Sequence, residues 1–285
     1  MTTLLVLALT SLGAATVNGA LGYGYSSISV PIALLVVAGR VLNPALVIVE
    51  VAINLYALWW NRGAIRAVLP RVAPLAVGLV PGVIAGALLL GHIAPTSVKL
   101  GAYLTLLPLI LLQAAGKRLP VRRDQEKTAS VPLGMGVGVL YGLTTISGPP
   151  LALFWNNQGL AKADFKVALA VIRSIESLCA LAVYACLGLF THQSAGLLPW
   201  IAPGVLIGFP LGHALIRKVS VEAFRRLCMS FDAWLVAFGL SHTLASTGVA
   251  PGVAYQLLVA TLIIDVHLLY RFFRPADPPP IEVTA

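Results

Sequence analysis

The chain has 285 residues, 59% hydrophobic and 10% charged, with a mean hydropathy of +0.92 and a formal net charge of +9. An ordinary soluble domain carries about a quarter charged residues, so this composition excludes a soluble globular protein and predicts a polytopic, all-α membrane protein with room for about seven to ten spanning segments. The positive charge does not predict nucleic-acid binding, because the basic residues form short clusters between apolar runs, as in cytoplasmic loops.

The N-terminal stretch MTTLLVLALTSLGAATVNGA ends in small residues as a signal peptide does. It lacks a basic leader, and the apolar run continues past any cleavage point, so it reads as a retained first membrane element. Apolar runs cover about 4–37, 44–60, 75–90 and 98–115, then a charged linker at 117–130, KRLPVRRDQEKTAS, divides the chain. Further runs cover about 131–155, 167–190, 197–216, 227–244 and 253–273. The expected organisation is one transmembrane domain over 1–274, made of a first repeat (1–116), the linker (117–130), a second repeat (131–248) and a final helix (250–273), with a Pro-rich tail at 275–285 predicted to be disordered. Cys179, Cys186 and Cys228 lack ligand or disulfide spacing and read as free thiols packed among helices.

The two halves resemble each other. Ser26-Ser27-Ile28-Ser29-Val30-Pro31 matches Thr144-Thr145-Ile146-Ser147-Gly148-Pro149 without gaps, with Gly24 and Gly142 ahead of them. Further on, Pro81-Gly82-Val83, Gly86 and Leu89 match Pro203-Gly204-Val205, Gly208 and Leu211. Both matches point to an internal duplication. Arg62, Arg66 and Arg71, the linker, Lys162 with Lys166, 217–226, and Arg271 with Arg274 are expected on the cytoplasmic side, and the segments around His92, His192 and Ser246 outside. This assignment makes the stretch between the linker and Lys162 enter the membrane and return, broken at 144–150, with an equivalent break at 22–31. The predicted fold is therefore two inverted-topology repeats, each a broken-helix hairpin plus three transmembrane helices, with one extra C-terminal helix.

Irregular backbone deep in a bilayer must be buried in protein or line a water-filled cavity. Helices starting near Pro31 and at 149–150 would present free amides and a positive dipole end beside the hydroxyls of Ser26, Ser27, Ser29, Thr144, Thr145 and Ser147, a set that suits a small anion. With Gly148 and Pro149 these residues form the candidate binding site; neither motif carries Asp or Glu, which argues against a cation. The competing reading is that small and hydroxylic residues only permit close helix packing. Arg173 either pairs with Glu176, three residues on, or attracts the substrate. Glu50, one turn from Asn54, either pairs with Arg173 across the repeats or carries a proton. Asp232 and Asp265 read as solvated or snorkelling partners of basic residues at Arg226 and Arg271. No metal-ligand cluster, ATP-binding loop, HExxH or nucleophile–base pair is apparent, so neither a cofactor nor a catalytic residue is expected.

The segment from Gly22-Tyr23-Gly24 to Pro31, and Gly142-Leu143-Thr144-Thr145-Ile146-Ser147-Gly148-Pro149-Pro150-Leu151 followed by Asp164-Phe165-Lys166, resemble the paired signatures of the sulfite exporter TauE/SafE family. The resemblance extends over nearly the whole chain. It implies a multi-pass transporter of a bacterial or archaeal inner membrane, or a plant relative, that exports small sulfur-containing or organic anions such as sulfite, thiosulfate, sulfonates or sulfoacetate by alternating access, with its C-terminus in the cytoplasm. The partners to expect are the anion, the lipid bilayer, a coupling proton or ion and a second copy in a homodimer. An anion channel of the same fold, an intramembrane enzyme and a non-transporting membrane subunit are the alternatives. Two departures from the family pattern bear on substrate choice: Tyr25-Ser26-Ser27 replaces a Gly-rich continuation, and Arg173 with Glu176 stand on a helix that is usually uncharged or carries a polar amide.

Overall fold

A computed structural model describes residues 2–60, 62–116, 126–158, 162–218 and 220–274. Most of the charged linker and the whole Pro-rich tail lie outside the described residues. In chain order the helices are α1 (Thr2–Leu21), α2 (Tyr25–Ala33), α3 (Gly39–Trp60), α4 (Ile65–Leu90), α5 (Pro95–Ala114), α6 (Glu126–Thr144), α7 (Gly148–Asn157), α8 (Lys162–Cys186), α9 (His192–Ala195), α10 (Leu198–Leu215), α11 (Val221–Ser246) and α12 (Pro251–Phe273), with a 3-10 turn at Arg62–Ala64 between α3 and α4. No strand occurs among the described residues. Eight helical segments among them are long and apolar enough to cross a bilayer, and α6 is apolar over the shorter Thr128–Thr144. At 9 and 10 residues, α2 and α7 reach about halfway across a hydrocarbon core of roughly 30 Å at 1.5 Å per residue.

The packing between α4 and α6, and between α1 and α10, rests on glycine. A Cβ at Gly82 would collide with the Met135 carbonyl and lie 3.1 Å from the Gly138 Cα, and one at Gly86 would collide with the Val139 carbonyl. Gly204 and Gly208 meet Leu12 in the same way. Without a side chain at these positions the backbones touch, which replaces the hydrophobic drive that lipid does not supply. The glycines of the second sequence match are thus the close-approach positions of two separate helix pairs.

The register of these contacts fixes directions. Gly78, Gly82 and Gly86 of α4 meet Val131, Met135 and Val139 of α6 in rising order, so the two helices run the same way. Gly204, Gly208 and Gly212 of α10 meet Ala8, Leu12 and Thr16 of α1, also in rising order. The Cys179 Sγ lies 4.0 Å from the Val80 carbonyl, and the Tyr184 hydroxyl donates to the Gly142 carbonyl beside Val83, so α8 runs with α4 and α6. Because α6 and α8 share a direction, α7 carries the chain back before α8 begins.

Apolar side chains gather in two cores. One holds Tyr25, Leu46, Leu106, Ile201 and Val236, and the other Leu79, Val83, Tyr141, Trp155 and Ile172. Each core mixes residues from before and after the linker. The close helix pairs cross the linker in the same way, α1 with α10 and α4 with α6.

The appended helix α12 is joined to α11 by a buried ion pair, Arg226 Nη2 to Asp265 Oδ1 at 2.8 Å, with Arg226 Nη1 donating to Ser230 at 2.8 Å. This corrects the expectation of a solvated or snorkelling pair: the Asp265 side chain is fully enclosed, because the two helices pack face to face at this depth. Asp232 is buried as well, against α2. A buried pair replaced by apolar groups of similar volume is often neutral or stabilising. The double change Arg226→Met with Asp265→Leu is therefore expected to shift stability by no more than about 1–4 kcal/mol, upward if at all, read as the thermal melting of detergent-purified protein.

Candidate functional site

Both hairpins break on left-handed backbone. In the first, Gly22 and Gly24 adopt φ of 82° and 105°, and Gly24 opens α2. In the second, Thr145 adopts φ of 59°; a β-branched residue there is strained by about 1–3 kcal/mol. Hydrogen bonds hold it: the Thr145 amide donates to the Tyr141 carbonyl at 2.6 Å, and the Ile146 amide to the Thr144 hydroxyl at 3.2 Å. The tips meet, since a Cβ at Gly148 would lie 3.6 Å from the Tyr23 ring and 3.9 Å from the Gly24 nitrogen. Judged by the backbone, Gly24 corresponds to Ser147, the residue that opens α7, and not to Gly142 as the ungapped match pairs it.

This corrects the expected start of the first short helix. It begins at Tyr25, and Pro31 lies inside it, because the glycines end α1 early and a proline in the body of a helix forfeits a single hydrogen bond where packing compensates. The Pro31 carbonyl accepts from the Tyr103 hydroxyl at 3.1 Å. In the second hairpin the Leu143 carbonyl accepts from Asn43 at 2.7 Å, and Gly142 from Tyr184 at 2.7 Å. Side chains from α3 and α8 thus satisfy carbonyls that the second break leaves open, and one from α5 satisfies a carbonyl near the end of α2. The amides of the first turn of α2 have no intrahelical acceptor. In α7, Pro149 and Pro150 carry no N–H, so Gly148 is the donor there.

The charged centre lies alongside. Arg173 Nη2 is 3.3 Å from Glu50 Oε1, with side chains 3% and 1% exposed. Ser26 donates to that same carboxylate, and Tyr141 donates to its Oε2 at 2.5 Å. Glu176 accepts from the Ser147 hydroxyl at 2.5 Å. Of the pairings read from sequence, the one across α3 and α8 forms, and the local one between Arg173 and Glu176 is replaced by Glu176 with Ser147. The reason is geometric: Ser147 opens the second hairpin directly against α8. Asn54 completes the α3–α8 seam, donating to the Arg173 carbonyl at 3.1 Å and to Ser177 at 3.2 Å. Arg173 Nε and Nη1 and Glu176 Oε1 are buried without a hydrogen-bond partner.

The remaining candidate hydroxyls turn to their own backbone. Ser29 donates to the Tyr25 carbonyl at 2.7 Å, Thr144 to Leu140 at 2.6 Å, Thr145 to Thr144 at 2.7 Å, and Ser27 to Gly24 at 3.2 Å. Ser27 also faces Asp232 of α11. Tyr141, Tyr103, Tyr184 and Asp232 were not among the sequence candidates; the available signal was tyrosines standing in the middle of apolar runs, away from the interfaces where they usually anchor. A cavity of about 620 Å³ between α5 and α6, with Val98, Thr105 and Leu140 in its wall, reaches Thr144 and Pro150. Among the described residues no three His, Cys, Asp or Glu side chains come together as metal ligands.

No curated protein and no solved structure matches the chain. A sequence model of the family described as sulfite exporter TauE/SafE matches residues 7–240, from α1 into α11, leaving α12 outside. Two broken hairpins meeting beside a buried arginine, eight segments fit to cross a bilayer and this match over most of the length place the chain in the sulfite exporter TauE/SafE family, multi-pass membrane transporters of sulfur-containing anions.

Proposed function

We propose that this chain is a secondary transporter of the inner membrane that moves small sulfur-containing or organic anions, such as sulfite, sulfonates or sulfoacetate, by alternating access to a midplane site between the two hairpin tips, and serves as an exporter. The observation that carries this reading is Arg173, 2% exposed, with Nε and Nη1 unpartnered next to meeting tips. A guanidinium with two of its nitrogens left without an acceptor in a membrane interior is costly, and an oxyanion offers its planar fork two acceptors. The first-turn amides of α2 add donors and a positive dipole end.

Helix directions support the inverted repeat. The short 3-10 turn joins α3 to α4 in opposite directions, and the turn holding α9 does the same for α8 and α10. With α8 parallel to α4, and α1 parallel to α10, α1 runs against α6. Each hairpin then returns to its own side, so the tips enter from opposite faces. The moving bodies are the α1/α10 and α4/α6 pairs with the hairpins they carry.

Purified protein in liposomes is expected to move labelled sulfite or methanesulfonate down its gradient without ATP, and saturable counterflow separates a carrier from a channel. Within the site, Ser29→Ala should leave the KM within about twofold, because its hydroxyl serves only its own helix. Ser147→Ala frees Glu176 of its donor and should raise KM about tenfold, the size of one charge-assisted hydrogen bond at about 1.5 kcal/mol. Equal effects of the two changes would displace the site from the second hairpin.

A further inference from the structure

Among the described residues three buried carboxylates surround the hairpins, Glu50, Glu176 and Asp232, against one guanidinium, Arg173; the other buried arginine among them, Arg226, is committed to Asp265. Fully ionised, this region is negative before any substrate arrives, and an incoming anion adds to the excess. An uncompensated charge buried this deeply costs several kcal/mol, so the anion enters together with positive charge. Resting on the transporter reading above, we infer that the anion is carried with a proton, and that the proton rides on Glu176.

The hydrogen bonds distinguish the carboxylates. Glu50 receives Ser26, Tyr141 and Arg173, three donors that favour its ionised form. Glu176 receives one, Ser147 on Oε2, and its Oε1 is buried without a partner. The groups facing Glu176 are Arg173 on its own helix, Glu50 from α3 and Tyr141 from α6; α4 and α7 bring no charged side chain to it. A proton on Oε1 turns an orphaned acceptor into a donor one helical turn from Arg173, whose Nε and Nη1 are unpartnered, so a neutral Glu176 and the guanidinium offer O–H and N–H groups from the same face of α8 to one oxyanion. Linkage makes this reciprocal: the anion strengthens proton binding by the factor by which the proton strengthens anion binding. The two therefore move in the same direction, and export runs only where the outward anion gradient exceeds any opposing proton gradient.

The test uses full-length protein in liposomes with the membrane potential clamped at zero and labelled methanesulfonate as probe, an anion that stays ionised and carries no proton of its own. With the outside one pH unit more acid, wild-type protein should accumulate the anion about tenfold, the ratio one proton per anion allows, while an internal pH dye reports entry of acid. Glu176→Gln, which has no proton to carry, should accumulate no more than the external concentration and give no dye signal, whatever rate of counterflow it retains at equal pH. If Glu176→Gln lacks counterflow too, Glu176→Asp decides: retained accumulation supports the assignment, and counterflow without accumulation overturns it. Anion movement without acid entry in the wild type overturns the coupling and leaves the transporter reading intact. Loss of coupling in Asp232→Asn with retention in Glu176→Gln overturns the choice of residue. Absence of flux for both methanesulfonate and sulfite overturns the transporter reading, and the coupling with it.

Discussion

Arg173→Ala should abolish anion flux and lower the stability of the protein by about 3–5 kcal/mol, the usual cost of removing one partner of a buried ion pair. The change leaves the Glu50 carboxylate at 1% exposure without its cation and removes the groups assigned to the oxyanion. Stability and transport then separate in a second variant. Glu50→Gln in the Arg173→Ala background removes the stranded charge and should recover most of the melting temperature, but no flux. Arg173→Lys keeps the charge and loses the planar fork, so it should fold and transport weakly. Full flux in Arg173→Ala would refute the site; recovery of flux along with stability in the double variant would reduce Arg173 to a structural partner of Glu50.

Gly82→Leu should be as damaging to the fold, by about 3 kcal/mol or more, the upper end of what overpacking usually costs. Its side chain would have to occupy the space of the Met135 carbonyl and the Gly138 Cα, both backbone and unable to swing aside. Gly208→Leu should behave alike through Leu12 and Thr16 of α1. Gly13→Ala is the comparison: nothing lies within 4 Å of its added Cβ, and alanine is the better helix former by about 1 kcal/mol, so it should be neutral or slightly stabilising. Melting of the purified variants in detergent ranks the three, and a Gly82→Leu protein that melts with the wild type would mean that α4 and α6 do not touch along this seam.

Membrane class, the span count and the two breaks were legible in the sequence, because each is written locally in hydropathy or in Gly, Pro and hydroxyl residues. The exact start of α2 was not: proline marked position 31, but two glycines with left-handed backbone decided the matter upstream. Hydropathy also ranks residues along the chain and says nothing of what lies across from them. Glu50 was therefore read as one of several partners for Arg173, and Ser147 was not foreseen as the partner of Glu176. Asp232 and Asp265 looked close to solvent by their distance from basic residues, whereas helix packing encloses both. Tyr141 gave only its position in the middle of an apolar run, which reads as packing until its hydroxyl is found on a carboxylate. The two sequence matches were visible, but the pairing of helices across the linker, α1 with α10 and α4 with α6, was not.

That pairing bears on how the chain is made. Synthesis delivers α1 well before its glycine-bearing partner α10, so α1 must wait in the bilayer while the helices between them are inserted. The glycine face of α4 waits for a shorter time, until α6 follows the linker. A nascent chain that stops after α5 holds two unfilled backbone seams and only part of each core. Commitment to the native arrangement thus waits until α10 has been made, and the segments on either side of the linker depend on one another for assembly.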